Sequence, residues 1–240
     1  MTTETSQTPE STDQTQQHSA DFSAPSRHGN EHPAVSVDVV ILTVRDHHLE
    51  VLLVRRANEP FAGMWSLPGC FVQQNESLED AARRELQRQA GATDAYLEQL
   101  YTFGDPSRDP RMRVITVVYY ALLRPDQLQM TLQTSEAIRL APAYDVPPLA
   151  FDHSSILRYT LQRIRGKLEY TTIGFQLLAE RFTLSELQDV YEAILNRTLD
   201  KRNFRKKLLM TRIVEPTPFT KMTGQHRPAI LYRFNPDASA

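Results

Sequence analysis

The segment Leu78–Ala90 combines apolar residues at helical spacing with charged side chains that could bind a ligand. Glu85, Arg88 and Gln89 lie three or four residues apart, so they share one face of a helix. The formal charge of that face is zero, and Mg²⁺ binds weakly there because this hard cation needs carboxylate ligands. An arginine presents a planar fork of donors that fits phosphate oxygens. We predict that Arg88 contacts phosphate, the alternative being a local ion pair with Glu85.

The predicted ligand site extends beyond this helix. Trp65 could stack on an adenine or form a wall of the pocket. For Arg84 the alternative to ligand contact is a structural pair with Glu76. Cys70, the single cysteine, excludes a disulfide within the chain and is interpreted as a small residue near a turn rather than a reactive thiol. The predicted ligand-binding residues are Arg56, Trp65, Glu76, Arg84, Glu85, Arg88, Arg111 and Arg113; no catalytic residue, metal ligand or required cofactor is predicted.

A second cluster occupies Asp200–Arg212, which holds six basic residues and one acidic residue. A helix cannot bury that many cations, so they face outward, while Phe204, Leu208 and Leu209 have the spacing of a core face. Cations neutralise DNA phosphates, and Asn203 could form a bidentate contact with adenine. The alternative is a solvated basic surface. The predicted DNA-binding residues are Lys201, Arg202, Asn203, Arg205, Lys206, Lys207 and Arg227.

The elements that would position the first cluster are a mixture of strands and a helix. β-Branched runs at Val35–Val44 and Leu49–Arg56 predict a hairpin. Further strands are predicted near Leu97–Phe103 and Val114–Leu123, and prolines from Pro142 onward predict an exit loop. This order favours an α/β (α+β) fold with a substantial sheet.

The second cluster belongs to a different kind of unit. A helix over Phe151–Arg165, with Asp152 as its N-cap, is predicted to open the C-terminal domain. Thr183 and Glu186 have the spacing of a capping box, which predicts a helix to about Leu195.

After a short turn, Asp200 is the predicted N-cap of another helix that ends at about Thr211. Prolines and Gly224 then mark a hairpin whose second strand is Ala229–Phe234. Helix, turn, helix and hairpin together predict a winged helix-turn-helix.

Charge is distributed unevenly between the two halves. Residues 1–150 carry 20 acidic and 12 basic side chains, a balance of −8, whereas residues 151–240 carry 9 acidic and 15 basic, a balance of +6. One half repels polyanions and the other attracts them, as expected of a sensor joined to a nucleic-acid binder.

Residues 1–33 contain no Val, Leu or Ile, so they are predicted to form a disordered tail and supply no apolar core for a signal peptide. No apolar run approaches the roughly 20 residues of a membrane span. These features and the single cysteine predict a soluble, cytoplasmic protein without a membrane partner.

The stretch Gly69–Ala92 resembles the Nudix box. Glu76, Arg84, Glu85, Leu86 and Gly91 fall in register with that motif, and Trp65–Gly69 before it also resembles the family. Cys70 replaces the box glycine, and Arg88 and Gln89 replace the paired glutamates that hold Mg²⁺ together with position 85. The resemblance implies a Nudix-like α/β/α sandwich with a mixed sheet over residues 34–150 that lacks the carboxylates for metal-dependent hydrolysis.

Residues 150–234 resemble the C-terminal domain of the Nudix-related transcriptional regulators, the NrtR family. The shared motifs are Ala150–His153, Phe182–Leu184 followed by Glu186–Leu187, Asp200–Arg205, Arg227–Ala229 and Leu231–Arg233. The resemblance implies a winged helix-turn-helix over residues 151–240 and a homodimeric repressor of NAD metabolism genes. Such a repressor would bind palindromic operator DNA and respond to ADP-ribose or a related nucleotide.

Two alternatives compete with this interpretation. One is a working Nudix hydrolase of the ADP-ribose pyrophosphatase type, in which Glu76, Glu79, Asp80 and Glu85 would rebuild a weaker metal site. The other is an RNA-binding adaptor, which would prefer single-stranded RNA to duplex DNA.

Overall fold

A computed structural model describes residues 32–128, 136–168, 171–222 and 228–238. The strands are β1 (Ala34–Arg45), β2 (His48–Arg55), β3 (Trp65–Ser66), β4 (Gly69–Phe71), β5 (Tyr96–Phe103), β6 (Val114–Leu122), β7 (Ile138–Pro142), β8 (Val214–Lys221) and β9 (Ala229–Phe234). The helices are α1 (Leu78–Ala90), α2 (His153–Lys167), α3 (Leu184–Leu195) and α4 (Lys201–Thr211). Most of the predicted tail and Arg227 lie outside the described residues.

Seven strands form one mixed sheet with the order β3-β2-β1-β6-β5, in which β4 also pairs with β1 and β7 with β2. β1 runs parallel to β6 from Ala34 opposite Val114, and the other pairs are antiparallel. The predicted hairpin and both predicted strands are present. The exit loop was predicted to begin at Pro142, but Pro142 is the last residue of β7, so the loop begins after it.

Helices cover both faces of the sheet. Successive side chains of a strand point to opposite faces, so Val39 packs on the α1 side and Val40 on the α2 side. On one side Ala82 and Leu86 of α1 cover the strands, and on the other α2 and α3 do so. Burial on both faces explains the apolar run at residues 39–42 in the middle of β1, and it confirms the expected α/β/α sandwich.

The core continues from the sheet into the C-terminal region. Ile156 and Leu157 of α2 and Ile194 of α3 belong to the same apolar cluster as the sheet residues. Arg165 of α2 also donates from Nε to the Ile194 carbonyl at 3.2 Å. α2 therefore packs on the sheet and on α3 at once, and the domain boundary at residue 150 stays a prediction.

α3, α4 and the β8–β9 hairpin form the expected winged helix-turn-helix. The predicted capping box is present, since Thr183 Oγ1 accepts from the Glu186 amide at 3.1 Å and Glu186 Oε2 accepts from the Thr183 amide at 2.7 Å. Asp200 caps α4 by accepting from the Asn203 amide at 2.7 Å. Leu208 is buried as expected, but Leu209 is 47% exposed, so its assignment to the core face was wrong.

In the part of the chain that the structure describes, no helix is both long and apolar enough to cross a membrane.

Candidate ligand pocket and nucleic-acid interface

A cavity of about 270 Å³, open to solvent, lies where α1 and the start of α2 meet the sheet and the β5–β6 loop. This volume encloses part of a nucleotide-sized molecule rather than all of it. Its charged lining groups are Arg55, Arg56, Arg88, Arg108 and Arg111, with Asp38, Glu85 and Asp109. The excess of guanidinium groups over carboxylates suits an anionic ligand such as a phosphate ester.

Half of the predicted ligand residues line this cavity. Those in the lining are Arg56, Glu85, Arg88 and Arg111, and those outside it are Trp65, Glu76, Arg84 and Arg113. Trp65 instead stacks under the Arg139 guanidinium, with 4.3 Å between the guanidinium carbon and the ring centroid. One face of the Trp65 ring, which was predicted to stack on an adenine, is thus already covered by Arg139.

The α1 face of the cavity is built on the buried carboxylate of Glu85, which is 0% exposed. Arg88 donates to both of its oxygens at 2.9 and 2.8 Å, and Gln89 Nε2 donates to Oε1 at 3.0 Å. The local pair that we weighed as an alternative is therefore present. The Arg88 side chain nevertheless remains 60% exposed, and a guanidinium has five donors, so donors remain for a ligand.

This donor set does not fit Mg²⁺. A cation site needs carboxylate oxygens free to coordinate, but both oxygens of Glu85 already accept hydrogen bonds, one pair of them from a positively charged group. The described residues contain no group of three or more His, Cys, Asp or Glu side chains placed to hold a metal ion. The carboxylates proposed to rebuild such a site have other partners, because Arg83 binds Glu79 and Ser77 binds Asp80.

Glu76 and Arg84 form an ion pair outside the cavity lining. Arg84 donates from Nε and Nη2 to the two Glu76 oxygens at 2.7 and 2.8 Å, and from Nη2 to the Phe71 carbonyl at 3.3 Å. The hydrogen bond from Arg84 lowers the pKa of Glu76 to about 2. The pair holds the loop after β4 against α1, which is the structural role that we weighed for Arg84.

Arg56 lies over an aromatic ring that also lines the cavity. Its guanidinium carbon is 4.6 Å from the Phe151 ring centroid, and Phe61 packs edge-on against the same ring at 4.9 Å. Phe151 has a φ of 54°, in the left-handed region that a bulky residue rarely adopts. The chain therefore turns sharply at Phe151, directly before α2, and this turn carries the ring into the cavity lining.

Arg108 joins the sheet to the start of α2 and was missed from the sequence. Its guanidinium donates to Asp152 at 2.9 and 3.0 Å and to Asp38 of β1 at 3.2 Å, and the side chain is 5% exposed. Asp152 precedes α2, but its carboxylate makes no capping bond. Asp152 thus occupies the predicted N-cap position, but its carboxylate binds Arg108 instead of a backbone amide of α2.

His153 completes the network as a neutral acceptor. Its Nδ1 accepts from the Leu67 amide at 2.9 Å, so Nδ1 carries no proton. Burial lowers the pKa of His153 despite the nearby carboxylates Asp38 and Asp152. Gly69 permits this packing, because a Cβ there would lie 2.2 Å from Asp38 Oδ1.

The cationic face of α4 is open to solvent. Its exposed cationic and amide residues are Lys201, Arg202, Asn203, Lys206 and Lys207. None of the four cations forms an ion pair within the described residues. Arg205 differs from them, since it is half-buried and donates from Nη2 to Ser185 Oγ of α3 at 3.1 Å. The structure thus brings together five of the predicted DNA-binding residues and turns Arg205 toward α3.

Comparison with known proteins identifies both parts of the chain. The NUDIX domain family model matches residues 32–161, and the model of the NrtR DNA-binding winged helix domain matches residues 174–234. The ADPR responsive transcriptional repressor NtrR of Acinetobacter baylyi is 39% identical over 207 residues, which are 84% of this chain and 82% of that protein. The chain belongs to the NrtR family.

Solved structures agree with this membership. Shewanella oneidensis NrtR in complex with a 27mer DNA is 36% identical, with a TM-score of 0.76 over 85% of this chain and 94% of that chain. The NUDIX domain of the same NrtR in complex with ADP ribose is 37% identical, with a TM-score of 0.51 over 56% of this chain and 90% of that chain. The expected NrtR architecture, a Nudix domain followed by a winged helix, is confirmed.

Proposed function

We propose that this NrtR-family chain is a transcriptional repressor that binds duplex operator DNA through α4 and is released by ADP-ribose or a related nucleotide. Two features together carry the proposal. One is a cavity lined by arginines, in which Arg88, Arg108 and Arg111 neutralise the carboxylates. The other is the separate cationic face of α4, whose exposed cations form no ion pair with any residue that the structure describes. The first suits a phosphate ester, and the second suits a polyanion. The structures of one relative, Shewanella oneidensis NrtR, with DNA and of its NUDIX domain with ADP ribose support the two assignments.

The Nudix domain in this proposal senses its ligand without hydrolysing it. Nudix hydrolysis depends on a metal that polarises the pyrophosphate and generates a nucleophile. Arg88 hydrogen-bonds both oxygens of the Glu85 carboxylate, whose negative charge a metal ion would need. The cavity therefore binds phosphate without a metal to polarise the pyrophosphate or to generate the nucleophile. No cofactor is required, and the cytoplasm, where NAD-derived nucleotides and DNA both occur in a prokaryotic cell, is the proposed location.

A physical route connects the cavity to the DNA-binding face. Arg108 lines the cavity and binds Asp152, which directly precedes α2. The other end of α2 holds the C-terminus of α3 through Arg165 and the Ile194 carbonyl, and α3 contacts α4. An anion that competes for Arg108 would therefore change the restraint on α2. Linkage requires only that the ligand bind the DNA-incompetent arrangement better, with a coupling of about 1–3 kcal/mol.

We further propose a homodimer on a palindromic operator, because two copies related by two-fold symmetry match two half-sites about one helical turn apart. The similarity to the A. baylyi repressor extends over 84% of this chain. The regulated genes would serve NAD metabolism, which is the role implied by an ADP-ribose signal.

The deciding experiment measures binding of the full chain to duplex DNA from upstream of its own gene, with and without ADP-ribose. We expect a specific complex that ADP-ribose weakens, and no turnover of ADP-ribose with Mg²⁺ or Mn²⁺. Turnover of about 1 s⁻¹ or more, together with no binding to the duplex, would overturn the proposal in favour of the hydrolase. Tighter binding to single-stranded RNA than to duplex DNA would favour the adaptor.

A further inference from the structure

The outward face of α4 carries an apolar side chain among its cations. Met210 is 73% exposed, the largest exposed fraction among the large apolar residues of the described chain. It lies three and four residues after Lys207 and Lys206 and seven after Asn203, so these four side chains share one face of the helix. Leu208, two positions before Met210, is buried on the opposite face.

Exposed apolar residues are concentrated in this part of the molecule. Single exposed apolar residues are ordinary on any protein surface, whereas a group of them marks an interaction surface. Five of the ten large apolar residues exposed in the described chain fall within one stretch, namely Leu209, Met210, Phe219, Met222 and Ile230. This concentration on α4 and the hairpin indicates a partner that offers apolar as well as anionic groups.

The charge around Met210 decides between classes of partner. Lys206 and Lys207, one turn away, are exposed and form no ion pair in the described part of the chain. A second protein chain would leave these cations desolvated unless it supplied matching carboxylates, whereas DNA supplies phosphates on both sides of its major groove. Within that groove, the C5-methyl of thymine is the apolar group that the base edges present.

We propose that Met210 reads thymine, by packing its thioether side chain on the C5-methyl group of a thymine in the major groove of the bound duplex. This inference rests on the proposed DNA-binding function and adds a specificity-determining residue to it. A flexible, unbranched methionine adapts to such a contact. The methyl contact also gives the face a sequence preference that its lysines cannot supply, since phosphate contacts carry no base information.

The test uses uracil, which is thymine without the C5-methyl and pairs with adenine in the same way. A duplex is first selected by the full chain from a pool with a randomised centre. Each thymine of that duplex is then replaced in turn by deoxyuridine, and binding is measured by fluorescence anisotropy. We expect at least one replacement in each half-site to weaken wild-type binding about fourfold, the effect of exposing one methyl-sized apolar group.

The variant Met210→Ala should bind the thymine duplex about as weakly as the wild type binds the uracil duplex. This variant should also bind the thymine and uracil duplexes with equal affinity. The matched control Leu209→Ala changes the neighbouring exposed side chain, which lies about 100° around the helix from Met210. Any effect of this change should be equal on the two duplexes, so the difference between them should remain. Lys206→Ala should weaken binding to both duplexes by the same factor, so the difference in affinity between them should remain. Thermal melting checks that each variant is folded.

Two results would overturn the inference while leaving the proposed function intact. One is a selected duplex in which no uracil replacement changes wild-type affinity, and the other is a thymine preference that persists in Met210→Ala. If the chain binds no selected duplex more tightly than random-sequence DNA, the proposed function itself fails, and the inference fails with it.

Discussion

Residue 88 sets the charge of the α1 face and with it the kind of ligand that the cavity can hold. Glu85 is fully buried, and a buried carboxylate needs compensation by hydrogen bonds or an opposite charge. Arg88 and Gln89 supply that compensation from within the helix. The same buried carboxylate that could hold a cation is thus used to fix a guanidinium at the cavity wall.

In the double variant Arg88→Glu, Gln89→Glu, the α1 face should therefore lose its ability to bind an anion and gain a site for a metal ion. Three carboxylates on one helix face repel one another unless a cation is bound. We expect a lower melting temperature than wild type in chelator and a rise when Mg²⁺ or Mn²⁺ is added, read by thermal scanning. Gln87→Glu, which also adds a carboxylate to an exposed position of α1 but lies one turn from Arg83 and Arg84, is the control without metal response. A double variant with no metal-dependent shift would show that the loop around Cys70 also excludes the ion.

His153 should make folding stability depend on pH. Burial lowers the pKa of His153 in the folded state below the value of about 6.5 expected when unfolded. Above pH 6.5 the side chain is neutral in both states and its stabilising contact is intact. As the pH falls below 6.5 the unfolded state takes up the proton first, so stability falls by up to about 1.4 kcal/mol per pH unit.

The measurement compares chemical unfolding of wild type and His153→Asn between pH 7.5 and 5.5. Asparagine can still accept from the Leu67 amide but does not titrate. The variant should lose less stability than the wild type over this interval. Equal losses in the two proteins would mean that other groups cause the acid sensitivity.

At the scale of elements, the sequence predicts what is determined locally. α1, α3 and α4 follow from apolar spacing and from caps such as Thr183 and Asp200, whose partners lie within three residues. The Arg108 network was not predictable in this way, since Arg108 is separated from Asp38 by 70 residues and from Asp152 by 44. β7 was missed for the same reason, because its pairing with β2 is not encoded in a local pattern.

The cavity shows the same division. The arginines and glutamates near the Nudix box could be selected by type, but which of them face the cavity depends on packing. Glu76 and Arg84 bind each other and not the cavity. The sequence alone left open whether Arg84 pairs with Glu76 or contacts a ligand, because both roles use the same residue types.

On α4, two neighbouring cations should behave differently when removed. Lys206 is exposed and unpaired in the described chain, so Lys206→Ala should lower the log-log salt dependence of duplex binding by about one unit. Arg205 holds Ser185 of α3, so Arg205→Ala should instead lower the melting temperature and leave the slope nearly unchanged. Salt titrations of DNA binding and thermal melts on both variants check this. The reverse pattern would place Arg205 at the DNA and Lys206 outside the interface.

At the scale of the whole molecule, ligand binding and DNA binding must share an element that responds to both. α2 has that position, because its first turn follows the Arg108 partner Asp152 and its last turn binds the end of α3. A coupling of this kind is reciprocal: whatever factor ADP-ribose imposes on DNA affinity, DNA imposes on ADP-ribose affinity.

Asp152→Asn should weaken that coupling. The substitution keeps the size of the side chain but removes its charge, and Asp38 still compensates Arg108, so the buried guanidinium is not left alone. We expect DNA affinity without ligand to stay within about twofold of wild type, while the factor by which ADP-ribose weakens it, typically about 5- to 150-fold for coupled sites, falls severalfold. The control Asp126→Asn removes an exposed carboxylate that pairs with Arg124, away from the cavity lining, and should couple like wild type. Because linkage is reciprocal, the loss must also appear when ADP-ribose affinity is measured with and without DNA; an unchanged factor in both directions would exclude the Arg108–Asp152 pair from the route.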